Sequence, residues 1–213
     1  MAGMMELRRM VMEGSPYVFV NQIVGTGMDS RIDTGIPGND DSLAFDLCFS
    51  FDQFAKWRAV FGNYISEDTN CWRLLQGGSD DGKFYFTTNH KAGSSSSLVS
   101  GHDTVVGKVV KAHLEYLRLK LDIEGQVKTG VRSNPPDGTE NSTTIALGSS
   151  RVGAGGGGTV HTTWYYARIS KGGLLVRDYR PCMRKQDGKY GFFETISKTF
   201  CPSIGSEDFR VSI

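Results

Sequence analysis

The chain lacks any charge excess that would name a partner. Its 213 residues carry 24 Lys and Arg against 23 Asp and Glu, a formal net charge of +1, so no global field draws it toward nucleic acid or an anionic membrane. It also lacks a run near the ~18 apolar residues that cross a bilayer. The first fifteen residues do not read as a signal peptide, because Glu6, Arg8 and Arg9 interrupt any apolar region before it reaches the usual length of about 7 to 15. Cysteine is scarce: Cys48, Cys71, Cys182 and Cys201 form no C-x-x-C pair and have no histidine at metal spacing. They read as buried thiols, with a Cys182–Cys201 disulfide as the alternative. A chain made outside the secretory route leaves the Asn141-Ser142-Thr143 sequon unglycosylated. His90, His102, His113 and His161 stand singly, without the neighbours that make a base or a metal ligand. The glycine-rich run 153–158 lacks the Lys-Ser/Thr of a phosphate-gripping loop.

What is present in quantity is turn chemistry. Glycine occurs 27 times, and with Ser, Thr, Asn and Asp it punctuates the chain about every 8 to 12 residues, the spacing of an all-β sandwich or barrel. The clearest strand is Ser42–Phe51, where Leu43, Phe45, Leu47, Phe49 and Phe51 alternate with Ser42, Ala44, Asp46, Cys48 and Ser50. Five large apolar groups on one face require a second layer. Segment 109–125 fits either a helical stripe (Val110, Leu114, Leu117, Leu121) or one strand face (Leu117, Leu119, Leu121, Ile123), and its all-β surroundings favour the strand. Five of seven methionines lie in the first twelve residues, beside Leu7 and Val11. This predicts a short apolar arm or helix over residues 1–15, with Met4, Met5, Leu7, Met10 and Val11 packing against a partner. One domain fills residues 16–213.

The stretch 165–200 interleaves Arg and Lys with seven aromatics, a composition that could mark a nucleic-acid surface. Read with period two, Leu175, Arg177 and Tyr179 face one way and Leu174, Val176 and Asp178 the other, and Gln186-Asp187-Gly188 turns the chain into a hairpin. The cations then alternate sides, with Asp178 and Asp187 among them, so no continuous basic face forms.

The same stretch carries a resemblance. Tyr165, Tyr166, Gly172, Gly173, Leu175–Tyr179, Pro181, Cys182, Asp187, Gly188, Gly191–Glu194 and Phe200 are similar to the closing strands of laminin-G-like, concanavalin-A-like jelly-roll domains of bacteriophage structural proteins and gut-bacterial surface proteins. Gly25, Thr26, Gly27 and Ile32–Ile36 resemble the opening of that family, with Arg31 where an aromatic is usual. The two matches bracket residues 22–200.

The resemblance implies an all-β jelly-roll β-sandwich of the lectin/glucanase type, of roughly a dozen strands, preceded by the arm. It further implies a non-enzymatic virion protein, made in the host cytoplasm, displayed as a fibre, baseplate or capsid decoration, and directed to host-surface glycans; decoration without glycan binding is the alternative. The partners implied are other virion proteins and further copies of the chain, with a trimer favoured. Glycosidases of this fold carry Glu-x-Asp-x-x-Glu on one strand. Here Lys120 replaces the first carboxylate and Glu124 follows Asp122 by two residues, so no catalytic residues and no cofactor are expected. The acidic loops 38–42 and 78–82 raise Ca²⁺ as a ligand, without a spaced ligand set. Sugar recognition uses aromatics with amide and imidazole groups, and Tyr64, Trp72, Asn89 and His90 are the binding candidates; Trp57 and Trp72 also fit a core.

Overall fold

The computed structural model describes residues 14–25, 29–53, 58–76, 84–91, 97–99, 106–131, 138–150 and 161–211. Seventeen strands and no helix occur among them, more strands than the dozen expected because several are only two to four residues long. In chain order they are β1 (Tyr17–Phe19), β2 (Ile23–Gly25), β3 (Ile32–Pro37), β4 (Leu43–Phe51), β5 (Ala59–Gly62), β6 (Asn70–Gln76), β7 (Phe84–Lys91), β8 (Ser97–Val99), β9 (Val110–Glu115), β10 (Arg118–Ile123), β11 (Gln126–Val131), β12 (Thr144–Leu147), β13 (Thr162–Lys171), β14 (Leu174–Arg184), β15 (Tyr190–Glu194), β16 (Thr199–Pro202) and β17 (Phe209–Arg210). They form an all-β sandwich of two sheets. The larger runs β1-β14-β15-β17-β2-β13-β4-β9-β10-β11, with β16 beside β15; the smaller runs β3-β12-β5-β6-β7-β8.

Alternation in the sequence decides which face each strand buries. Leu43, Phe45, Leu47, Phe49 and Phe51 of β4 all enter the core, as expected. Phe45 reaches the opposite sheet, its ring 4.8 Å from that of Phe61 and 5.1 Å from that of Trp72. Each such fully buried side chain contributes about 1.5–3 kcal/mol of transfer free energy. Segment 109–125 is a hairpin rather than one strand. Val110, Ala112 and Leu114 of β9 and Leu119, Leu121 and Ile123 of β10 face inward, and Leu117 sits in the turn at φ +62°. No Gly or Asn announces that turn; the Leu117 N–H is held by the Thr88 hydroxyl at 2.9 Å.

Because β13 also pairs with β14, the strands β13-β14-β15-β17-β2 close on themselves. Trp164, Tyr179, Phe192 and Phe209 pack ring to ring at 5.6–6.1 Å on the buried side of that ring of strands. The two ends of the sequence that carry the family resemblance meet here. The Tyr179 hydroxyl donates to the Thr34 carbonyl at 3.2 Å, the Arg177 Nε to the same oxygen at 3.4 Å, and the Thr34 hydroxyl to the Ile145 carbonyl at 2.8 Å. Tyr179 thereby ties the larger sheet to β3 and β12 of the smaller.

The Gln186-Asp187-Gly188 turn forms as expected, with Gly188 at φ +69° donating to the Arg184 carbonyl at 2.9 Å. The tail cations are engaged locally: Arg184 with Asp187 at 2.6 Å and Arg180 with Asp178 at 2.8 Å. All four thiols are free. Strand β15 lies between Cys182 and Cys201, so the disulfide alternative is not realised. Burial raises the four thiols to about 11, 11, 12 and 11 in chain order. Asn141 is buried and its amide donates to the Asn63 carbonyl at 2.6 Å, so the sequon nitrogen is a structural donor. The arm residues Met4, Met5, Leu7, Met10 and Val11, together with Trp57, the loop 78–82 and the glycine-rich run 153–158, lie outside the described residues.

Candidate functional site

Strand register lines up polar residues across the outer face of the larger sheet. One row reads Asp178, Arg168, Asp46, His113, Lys120, Thr129 on β14, β13, β4, β9, β10 and β11. From Asp178 to His113 acid and base alternate, which is the favourable arrangement for cross-strand pairs, and Lys120 and Thr129 continue the row as a second cation and a hydroxyl. Between β4, β9 and β10 this face opens into a groove of about 420 Å³, lined by Asp46, Lys111, His113, Lys120, Asp122 and Tyr166 over a floor from Leu47 and Ala112. Its polar walls stand directly behind the apolar core because successive residues of a strand point to opposite faces.

His113 organises the groove. Its Nδ1 lies 2.6 Å from Asp46 Oδ1 and its Nε2 3.1 Å from Glu115 Oε1. Partial burial opposes the charged imidazole, yet the hydrogen bonds to Asp46 and Glu115 outweigh it and the pKa is raised above the ordinary 6.5. Tyr166 forms the aromatic wall. The Arg168 and Arg180 guanidinium carbons lie 5.2 and 5.6 Å from its ring centroid, within cation–π range. Burial first, then the neighbouring Cys48, raises its phenol. The groove carboxylates are already engaged: Asp46 with His113, and Asp122 with the Gly125 N–H at 2.9 Å. Lys111 and Lys120 make no ion pair among the described residues. The groove therefore offers donors in excess of acceptors, beside an aromatic ring fixed by two guanidiniums.

The residues singled out from sequence do not form this site. Tyr64, Trp72, Asn89 and His90 fall toward one end of the smaller sheet, on or next to β5, β6 and β7. Trp72 is 0% exposed and contacts Phe45, so it is a core residue and no sugar platform; the alternation of β6 sends it inward. Tyr64 is half-buried with the Arg73 guanidinium 4.4 Å over its ring. Asn89 occupies a bulge opposite Trp72 at φ +46°, and its amide donates to Asp41 at 2.6 Å. The His90 side chain lies outside the described residues. Asp46, His113 and Tyr166 were missed because each looks like a lone polar residue in a strand, and only register makes them neighbours. The available signal was their shared outward phase opposite the β4 and β10 core positions.

Among the described residues no group of three or more His, Cys, Asp or Glu is placed to hold a metal ion. In loop 38–42, Asp40 is taken by Lys171 at 2.7 Å, and its hydrogen bonds to Lys171 and Ser42 hold its carboxyl at about 2. Asp41 is taken by Asn89.

No protein-family profile and no curated protein sequence matches the chain. Among solved structures it is similar to the mouse laminin alpha1 chain, domains LG4-5, with a TM-score of 0.45 and 18% identity over 72% of this chain and 41% of that one. It thus spans less than half the length of that laminin chain. It is also similar to the native heptameric SAP-like pentraxin from Limulus polyphemus, with a TM-score of 0.47 and 10% identity over 92% of this chain and 94% of that one. Both are jelly-roll proteins.

Proposed function

We propose that the chain is a non-enzymatic saccharide-binding module displayed on a virus particle, and that it holds host-surface glycans in the groove between β4, β9 and β10. The observation that carries this reading is the groove itself. A wall of Tyr166 fixed by Arg168 and Arg180 faces His113, Lys111, Lys120, Asp46 and Asp122, a mixture of one aromatic and many hydrogen-bonding groups that suits a hydroxyl-rich ring better than an apolar ligand. A rigid platform lowers the ordering cost of binding. The particle context rests on the likeness of the opening and closing motifs to phage structural proteins, and the methionine-rich residues 1–15 are assigned to anchoring or assembly.

Catalysis is not proposed, because the strand that would carry paired carboxylates presents Lys120 and Asp122, and Asp122 caps its own turn. The test is binding of the full chain to a panel of bacterial polysaccharides, followed by Tyr166→Ala and Lys111→Gln. Saccharide binding lost in Tyr166→Ala with no new reducing ends supports the reading. Binding to none of the panel, with intact incorporation into particles, would favour a purely decorative protein. Release of reducing ends would make it an enzyme.

A further inference from the structure

The groove does not end at His113. Two residues farther along the same strands lies a second cavity of about 480 Å³, whose lining includes Asp41, Ala44, Glu115, Arg118 and Gly173. Strand register explains the adjacency. On β9 and β10 the outer-face residues form successive rows: Lys111 with Asp122, then His113 with Lys120, then Glu115 with Arg118. Each row stands about 7 Å from the next, the rise of two strand residues. The first two rows line the groove and the third lines the second cavity. The two meet at the hydrogen bond between His113 Nε2 and Glu115 Oε1, at 3.1 Å.

Each row contributes one exposed cation, Lys111, Lys120 and Arg118, and none of the three has an ion pair among the described residues. The carboxylates beside them are turned to other partners. Asp122 accepts the Gly125 N–H at 2.9 Å, and Asp46 and Glu115 both hold His113. Three like charges in consecutive rows repel one another, and an anionic ligand laid along them removes that repulsion.

We infer that the second cavity is a further binding subsite, and that groove and cavity together take an acidic polysaccharide whose successive carboxylate or sulfate groups lie on Lys111, Lys120 and Arg118. This rests on the saccharide reading of the groove and adds to it the charge and length of the ligand. Tyr166 lies in the row of Lys111, since it pairs with Cys48 and Cys48 pairs with Lys111. Arg118 is two rows on, about 14 Å along the strands. A single ring held at Tyr166 does not span that distance, so the third cation is reached only by a chain.

The test compares binding of the full chain to polygalacturonate, heparin and neutral dextran by calorimetry. Because the three cations are exposed, their variants are expected to keep the wild-type unfolding midpoint. Acidic polysaccharide should bind more tightly than dextran and should weaken as salt rises. Arg118→Gln is expected to lower that affinity on the order of tenfold, and Arg118→Lys to restore most of it. Lys185→Gln, at the β14–β15 turn, should change nothing. Polygalacturonate and heparin distinguish carboxylate from sulfate as the anion, and tight binding of either supports the inference. Equal affinity for dextran and polygalacturonate, lost in Tyr166→Ala and indifferent to Arg118→Gln, overturns it and leaves the groove reading standing. Binding of no polysaccharide overturns both. Single-stranded DNA bound as tightly as acidic polysaccharide, or an equal loss in Lys185→Gln, marks unspecific attraction of polyanions and overturns the subsite.

Discussion

Two rows one residue apart run across the same six strands, and they could hardly differ more. The inner row is Tyr179, Ala167, Leu47, Ala112, Leu121, Lys128 and the outer row Asp178, Arg168, Asp46, His113, Lys120, Thr129. The inner row is apolar and buried until it reaches β11, where Lys128 ends it. The outer row is polar throughout, with acid and base alternating from Asp178 to His113. What differs is only the phase of the pleat, so burial energy is concentrated on one set of positions and specificity on the other.

The largest break in this contrast is expected from the inner side. Phe45→Ala empties a site shared by both sheets, and it should cost about 3–5 kcal/mol in denaturant unfolding, by lost transfer energy and a residual cavity. An outer-face substitution of similar cost would contradict the division.

Glu194 tests the boundary, as a charged residue buried with the inner set. It accepts the N–H groups of Asp178 (2.9 Å), Ile196 (3.0 Å) and Ser197 (2.6 Å). Burial opposes its charge, but the hydrogen bonds to Ser197, Asp178 and Ile196 prevail and its pKa is lowered from 4.5. Its stabilisation is therefore complete above 4.5 and is lost as pH falls through the lower folded value. Glu194→Gln should lose about 1.5–3 kcal/mol at neutral pH, and the gap to wild type should narrow in acid.

His113 has the opposite sign. With a raised folded pKa, its ion pairs with Asp46 and Glu115 contribute fully below 6.5 and fade as pH rises through the folded value. In His113→Gln the stability deficit should accordingly be largest in mild acid and small in alkali, and a proton NMR titration of His113 should give a midpoint above that of an exposed histidine. A midpoint at or below the ordinary value would remove the ion-pair assignment.

The smallest stability effect is expected for Lys120→Gln, within about 0.5 kcal/mol of wild type, while its saccharide binding should fall clearly. Unchanged binding would detach Lys120 from the site and leave the outer row as a solvated face.

Much of the sandwich was legible because large side chains at period two leave few alternatives. Leu43–Phe51 declared both its strand and its inward face, and Asp187-Gly188 declared its hairpin. Legibility failed where the signal is not a residue type. The Tyr116-Leu117 turn is made by a leucine at positive φ, tethered to Thr88 from the other sheet, and local propensity argues against it. Trp72 fitted either a binding site or a core from sequence, and alternation in β6 with the Phe45 ring opposite makes it core.

The sequence by itself determined the class of structure: short alternating strands, polar glycine-rich turns, no spanning segment, and no paired carboxylates on the β10 strand. These follow from local chemistry, since hydrophobic periodicity and turn residues act over a few positions. Tertiary structure alone decided that Asp46, His113, Lys120 and Tyr166 share one groove, that Tyr179 reaches Thr34 across the sandwich, and that Val127, Thr129 and Val131 on β11 are exposed. Neighbours across a sheet are fixed by register and strand order, and those are settled by burying the opposite face, whose energy is indifferent to what the outward residues will be asked to do.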